Sequence, residues 1–287
     1  NGRNKDTEDR LKKKFPPIHA EVQQYDTPGV VTDIDGVALT WYLPGIIGRN
    51  RRQAIMWEAL SVLEPELQLN KSSNQWRVGP KYYRSSPANT LKPGTASFAP
   101  AWFEQGHDTE KYPLRVSKAL VKKDGPANQW LERMTVSSAL IGGILSIVQP
   151  DLYEAGRNAF LYLNDNPDEV DLPERLREVL QIWTAPFHGV SVISNRITPV
   201  HRDSNSGVEW MDILVALGTY QRGTLELGGL GVSFQYDPGT VVAIAGRVIA
   251  HAAKCNGDRA CIAYYMREKV HRRLGLVHPR WFKLPDI

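Results

Sequence analysis

Apolar and polar positions change their spacing along this chain, and the change separates two halves. Residues 30–44 read as two β-rich runs on either side of Asp35-Gly36, a hairpin dipeptide, which assigns Asp33 and Asp35 to turn chemistry rather than to a metal. Over 51–69 apolar side chains recur at Ile55, Met56, Ala59, Leu60, Val62 and Leu63, the spacing of one helical face. Residues 70–113 have almost no periodicity. Helical spacing returns over 113–149, most clearly over 130–148 with Pro150 as a stop, and again over 151–163 and 173–183, where Pro173-Glu174 suits a first turn. Near Ala185 the pattern turns into short β segments at 190–197, 211–217, 223–227, 231–235, 240–245 and 259–266, with Asp237-Pro238-Gly239 as one of the turns between them.

This order predicts an α+β fold in which helices support a β core. The charged, Pro-interrupted residues 1–28 read as a loose arm. Residues 29–287 read as a single domain, helix-rich over 29–185 and with its β core over 186–270. No internal repeat is visible.

Composition narrows the class. A chain of 287 residues, 42% hydrophobic and 23% charged, can bury a substantial core. Its longest apolar runs, 141–148 and 240–245, are too short to span a bilayer, so no membrane is expected. Cys255 and Cys261 are too few and too close for a disulfide framework, and five intervening residues without Cys or His neighbours argue against zinc. They fit a reducing compartment inside the cell. Nothing in the sequence demands more than a monomer.

A net charge of +4 allows a nucleic-acid partner without requiring one. Basic clusters at 10–14, 49–52 and 267–273 suit either a solvated surface or phosphate contacts. In the aperiodic segment Trp76, Tyr82, Tyr83, Phe98, Trp102 and Phe103 are interleaved with Arg77, Lys81, Arg84 and Lys92. Aromatics and cations so mixed can stack on nucleotides or pin a long loop to the body, and the sequence leaves both open.

The sharpest chemical signal is His201-Arg202-Asp203, with His251 fifty positions on and Arg259 after it. Two imidazoles and one carboxylate make the facial set of a non-heme Fe(II) oxygenase, which leaves coordination positions for a co-substrate and O2. On an extended strand, residues two apart share a face, so His201 and Asp203 can reach one metal while His251 arrives from another strand. Each residue alone reads as ordinary: a surface turn for the His-x-Asp pair, a satisfied core histidine for His251. In order, and with the distal Arg, they read as a site. Arg259 suits the distal carboxylate of 2-oxoglutarate, because a guanidinium offers a bidentate fork and keeps its charge when buried. The competing reading is an ion pair with Asp258. Cys261 shares the face of Arg259 and can line the same pocket.

The segment 195–207, Asn-Arg-Ile-Thr-Pro-Val-His-Arg-Asp-Ser-Asn-Ser-Gly, together with 223–227 and 259–265, resembles the TET/JBP family of 2-oxoglutarate/Fe(II) dioxygenases. The stretch Asp33 to Pro44 and the Ala99–His107 patch are similar to the fungal TET-like branch, and the resemblance covers about 28–275. It implies a double-stranded β-helix (jelly-roll or cupin-like) core, iron at His201, Asp203 and His251, 2-oxoglutarate on Arg259 with Cys261 nearby, and O2 as oxidant. It further implies a nuclear enzyme that oxidises methyl groups on bases flipped out of double-stranded DNA, on 5-methylcytosine, N6-methyladenine or both, the latter ending in demethylation. For base contacts it points to Asn205 or Ser206, near the place where animal members use an Asn, and to Arg267 in place of their base-contacting His. The cysteine-rich zinc elements of animal members are absent. Two other readings stay open: an AlkB-like or RNA-directed N-demethylase, and a catalytically silent nucleic-acid-binding module on the same scaffold.

Overall fold

The computed structural model describes residues 22–284 except 49–51, 86–88, 105, 108, 110 and 204, and also 6, 9, 10 and 13. Its β core begins with the hairpin read from sequence: β2 (Gly29–Thr32) and β3 (Ala38–Leu43) pair antiparallel around the Asp35-Gly36 turn. Asp33 Oδ1 accepts the N–H groups of Asp35 and Val37, both at 2.9 Å, and Gly36 takes φ 79°, which a side chain would resist. Asp33 is therefore a turn residue, as its position suggests.

Seven strands form the larger sheet in the order β2-β3-β10-β7-β12-β5-β4, where β4 is Gly94–Phe98, β5 Gly189–Ser194, β7 Asp212–Gly218, β10 Val241–Ile244 and β12 Arg259–Tyr265. The smaller sheet has the order β1-β9-β8-β11-β6, with β1 Gln23–Tyr25, β6 Thr198–His201, β8 Gln221–Leu227, β9 Val232–Gln235 and β11 His251–Asn256. Central strands β7 and β10 are apolar almost throughout because both of their faces are covered. Between the sheets lies a compact cluster that includes Leu225, Phe234, Tyr236, Val242 and Ile244. Tyr42 and Phe234 stack across it at 4.4 Å.

Helices cover the outer face of the larger sheet: α1 (Arg52–Ala59), the short α2 (Lys118–Val121), α3 (Pro126–Val148), α4 (Pro150–Asp165), α5 (Pro173–Ile182) and, after the last strand, α6 (Glu268–Arg273). Met134, Ile141 and Leu145 of α3, Leu152 and Ala159 of α4, and Leu176 of α5 join Val192, Ile213 and Ile262 of the sheet in the main core. Proline stands at the first helical position of α3, α4 and α5, where its missing N–H costs nothing. Pro150 thus ends one helix by starting the next. The joint between them is fastened by Gln149, which donates to Glu209 O at 2.7 Å and accepts Met211 N–H at 3.0 Å, just ahead of β7.

Four departures from the sequence reading concern elements. Residues 22–28, assigned to the arm, contain β1, which pairs in parallel with β9. The front half supplies β2, β3 and β4 to the larger sheet, so it is less purely helical than its periodicity indicates. Strands β6 and β11 were absent from the β segments, because their polar residues break the apolar alternation. Finally, α3 is long and apolar enough to cross a bilayer by length and composition, which the separate apolar runs conceal, although half of that stretch is buried inside the fold.

Candidate metal and co-substrate site

His201 closes β6 and His251 opens β11, and the two are direct partners in the antiparallel register. Their rings lie 4.2 Å apart. His201 Nδ1 donates to Pro199 O at 2.9 Å and His251 Nδ1 donates to Ile249 O at 3.0 Å, so each imidazole turns an unprotonated Nε2 inward. Burial, reinforced by neighbouring His251, lowers the pKa of His201 to about 3 and keeps it in the neutral, ligating form. Asp203 lies beyond the end of β6 rather than on it, a correction to the shared-strand argument. Its N–H donates to Gly246 O at 2.9 Å, and this loop bond, not strand pleating, aims the carboxylate.

Asp203 Oδ1 stands 3.7 Å from His201 Nε2 and Oδ2 stands 3.6 Å from His251 Nε2. The three ligand atoms fall within 4.8 Å of one another. Burial works against the charge on Asp203, yet the two imidazoles and Arg77 outweigh it and hold its carboxyl below the ordinary value. Two neutral imidazoles with fixed tautomers and one carboxylate fit a divalent iron, and they leave the remaining sides of such an ion open.

Gly246 explains how the chain comes so close. A Cβ there would meet Asp212 Oδ2 at 3.2 Å, Asp203 Oδ2 at 3.4 Å and His251 Cε1 at 3.6 Å. Asp212, which the sequence reading passed over, is a second buried carboxyl beside the triad. Burial, with the nearby charge of Asp203, raises its pKa well above the usual range, and Ser206 Oγ donates to its Oδ1 at 3.2 Å. A single acid heading an apolar run was the one signal that could have flagged it.

Arg259 begins β12 and is 4% exposed. Among the described residues no carboxylate pairs with it. Asp258, the competing partner, accepts instead from Thr90 N at 2.6 Å, Thr90 Oγ1 at 2.8 Å and Asn195 Nδ2 at 2.7 Å. The Arg259 main chain is held by Asn195, whose Oδ1 accepts Arg259 N–H at 2.9 Å while its own N–H donates to Arg259 O at 2.7 Å. Asn195 has φ 55°, an uncommon conformation that Asn tolerates better than most residues. The guanidinium lies 5.3 Å from the Tyr236 ring, and Tyr236 Oη is 3.8 Å from Cys261 Sγ, so Arg259 and Cys261 both lie against Tyr236. A buried cation with no acid beside it is costly until an anion arrives.

Trp76 and Arg77 were singled out only as members of a mixed loop. The structure brings both to the triad: the Trp76 ring is 4.3 Å from the His201 ring, and Arg77 Nη2 donates to Asp203 Oδ1 at 2.8 Å. Arg196 covers Trp76 at 4.7 Å. Three other aromatics of that segment have partners within the protein: Phe98 packs on Trp130, Phe103 against the main core, and Tyr83 Oη donates to Arg77 O.

The candidate base-contacting residues divide. Asn205 is exposed, with its carbonyl accepting Glu268 N–H at 3.2 Å. Ser206 is buried, with its hydroxyl on Asp212 and its carbonyl on Arg247. Arg267 is half-buried over the Tyr265 ring at 5.0 Å and acts electrostatically on Asp212, while its N–H donates to buried His188 Nδ1 at 3.1 Å. Of the basic clusters, most of 10–14 and 49–52 lie outside the described residues. The third is largely committed internally, with Glu268 bridging Arg247 and Arg272 and with Arg273 on Glu169.

The family described as the oxygenase domain of the 2OGFeDO superfamily (Tet_JBP) matches residues 99–268, more than half of the chain. The solved structure of NgTET1 in complex with 5mC DNA is similar over 93% of this chain and 92% of that one, at 16% identity and a TM-score of 0.53, which shows a shared fold. A dioxygenase for auxin oxidation from rice is more distant, at 14% identity over 81% of this chain and 74% of that one, with a TM-score of 0.39. None of the curated proteins matches the chain. With the two-sheet β-helix in place, the chain belongs to the TET/JBP family of dioxygenases, enzymes that use Fe(II), 2-oxoglutarate and O2.

Proposed function

We propose that this dioxygenase oxidises methyl groups on bases flipped from double-stranded DNA, with His201, Asp203 and His251 as the iron ligands and Arg259 as the anchor of 2-oxoglutarate. The observation that carries the reading is the pairing of two features in one β-helix: the converging triad and a buried guanidinium without an acid partner among the described residues. Bound iron, with 2-oxoglutarate and O2, supplies the oxidant for an unreactive C–H bond. The chain's residues do the rest. Arg259 takes the distal carboxylate of the co-substrate, Tyr236 and Cys261 close the pocket around its carbon chain, and the Nδ1 bonds of both histidines keep Nε2 free of protons.

DNA as the substrate is supported by membership of the TET/JBP family, by the fold shared with a TET protein bound to 5mC DNA, and by exposed Arg77 beside the triad. A methyl group in an intact duplex cannot approach a metal held between two sheets, so flipping is required. Arg267 and Asn205 are the candidate base contacts. We place the enzyme in the nucleus, as a monomer without membrane attachment; its two unpaired cysteines suit a reducing compartment.

The test is mass spectrometry of nucleosides after incubation with Fe(II), 2-oxoglutarate, ascorbate and duplex DNA carrying both methylated bases. Oxidised 5-methylcytosine, loss of N6-methyladenine, or both are expected. Intact bases alongside 2-oxoglutarate consumption on methylated RNA would overturn the DNA reading and leave the dioxygenase standing.

A further inference from the structure

The loop carrying Trp76 and Arg77 is built to stay where it is. Asn70 N–H donates to Val78 O at 2.9 Å, Val78 N–H to Gln75 O at 3.2 Å, and Gln75 N–H to Ser73 Oγ at 3.1 Å. Gly79 N–H donates to Gln75 O at 2.7 Å, and a Cβ at Gly79 would strike Ser73 O at 2.5 Å. Tyr83 then fastens the Arg77 carbonyl from outside the turn. At the tip the Arg77 guanidinium lies 4.3 Å from the Trp76 ring, which rests in turn on His201. An exposed Arg normally samples many rotamers; this one is stacked on one side and bonded at its end.

We infer that Arg77 is a positioning residue for the metal-binding carboxylate: it holds Asp203 Oδ1 so that Oδ2 alone is presented to the metal, with Trp76 as the plate that carries the guanidinium. The inference rests on the assignment of the triad as iron ligands. The geometry distinguishes the two oxygens. Oδ1 carries the Arg77 hydrogen bond at 2.8 Å besides standing 3.7 Å from His201 Nε2, whereas Oδ2 stands 3.6 Å from His251 Nε2 and faces the opening left by Gly246. A carboxylate free to rotate can offer both oxygens to one metal and consume a coordination position that the co-substrate or O2 needs. Saturating one oxygen with a charge-assisted hydrogen bond prevents this.

The test is titration of the metal-free protein with Co(II), followed by visible absorbance, in wild type, Arg77→Ala, Arg77→Lys, Trp76→Leu and His201→Ala. Loss of a hydrogen-bond partner to a ligand costs about 10–100-fold in metal affinity, which is the expected effect of Arg77→Ala, together with a changed Co(II) spectrum. Arg77→Lys should recover part of the affinity, and Trp76→Leu should show a smaller loss. If Arg77→Ala does not fold, as judged by circular dichroism, the comparison of Arg77→Lys with wild type decides. Unchanged affinity and spectrum in the Arg77 variants would overturn the inference. Tighter binding with an unchanged spectrum would overturn it too, since the guanidinium would then only repel the metal and leave the carboxylate's mode of binding untouched. Wild-type affinity in His201→Ala would instead sink the metal assignment itself.

Discussion

His201 and His251 face each other as register partners across β6 and β11, so one strand pair sets the spacing of two ligands. The register shifts just beyond them, between His251 and Ala253, a local irregularity of the kind often found beside functional sites. Replacing His201, Asp203 or His251 with alanine should abolish turnover while leaving DNA affinity and the melting temperature close to wild type. Equilibrium DNA binding beside the nucleoside assay checks this, and turnover preserved in any of the three variants would refute the ligand set.

Arg259→Ala should raise the 2-oxoglutarate concentration needed for half-maximal activity. Removing one partner of a buried, hydrogen-bonded charge pair costs about 2–5 kcal/mol, which corresponds to at least a tenfold change. Arg259→Lys should recover little, because the bidentate fork is lost. Asn195→Ala, which frees the Arg259 backbone without touching its guanidinium, should show a smaller rise. A co-substrate titration identical to wild type in Arg259→Ala would refute the anchor.

Stability should fall in acid through His188. Its ring is 1% exposed, and Nδ1 lies 3.1 Å from Arg267 N and 3.3 Å from Arg267 O, the nearer contact being one that a neutral ring accepts. Burial, with nearby His271 adding to it, lowers its pKa from 6.5 to about 3. The folded value lies below the unfolded one, so the unfolded chain binds the extra proton between them. The stabilisation is complete above pH 6.5 and is lost progressively as pH falls toward about 3. At pH 5 the loss amounts to about 2 kcal/mol. Thermal melts from pH 8 to 5 should show a flatter dependence for His188→Gln than for wild type; parallel curves would remove His188 as the source.

Gly246→Ala should weaken metal binding before it weakens the fold. The new methyl group meets two carboxylate oxygens and the His251 ring at 3.2–3.6 Å, close enough to displace them by tenths of an ångström. Calorimetric titration with Mn(II) should show reduced affinity at a nearly unchanged melting temperature. Equal affinity would mean that the site relaxes around the methyl.

Much of this was legible in the chain because it rests on residue type and short-range period. The Asp-Gly hairpin, the helical spacing over 130–148, 151–163 and 173–183, and the apolar strands β7, β10 and β12 follow from local rules. The triad and Arg259 were readable as candidates because few residue types can hold iron or anchor a carboxylate in a buried place. Edge strand β1 and polar strands β6 and β11 were not, since what makes them strands is the neighbour they pair with. Asp212 and His188 look like any acid or histidine until burial changes their protonation.

Whether Trp76 and Arg77 would stack on a nucleotide or pin a loop was open in the sequence. Arg77 meets Asp203 across 126 residues, a separation no local pattern reports. The sequence alone determined which side chains were available for the chemistry and which segments would become helix or buried strand, because those depend on composition and period. Only the tertiary structure decided which of them share a site, since closing two sheets on one another is what brings distant loops to the same metal.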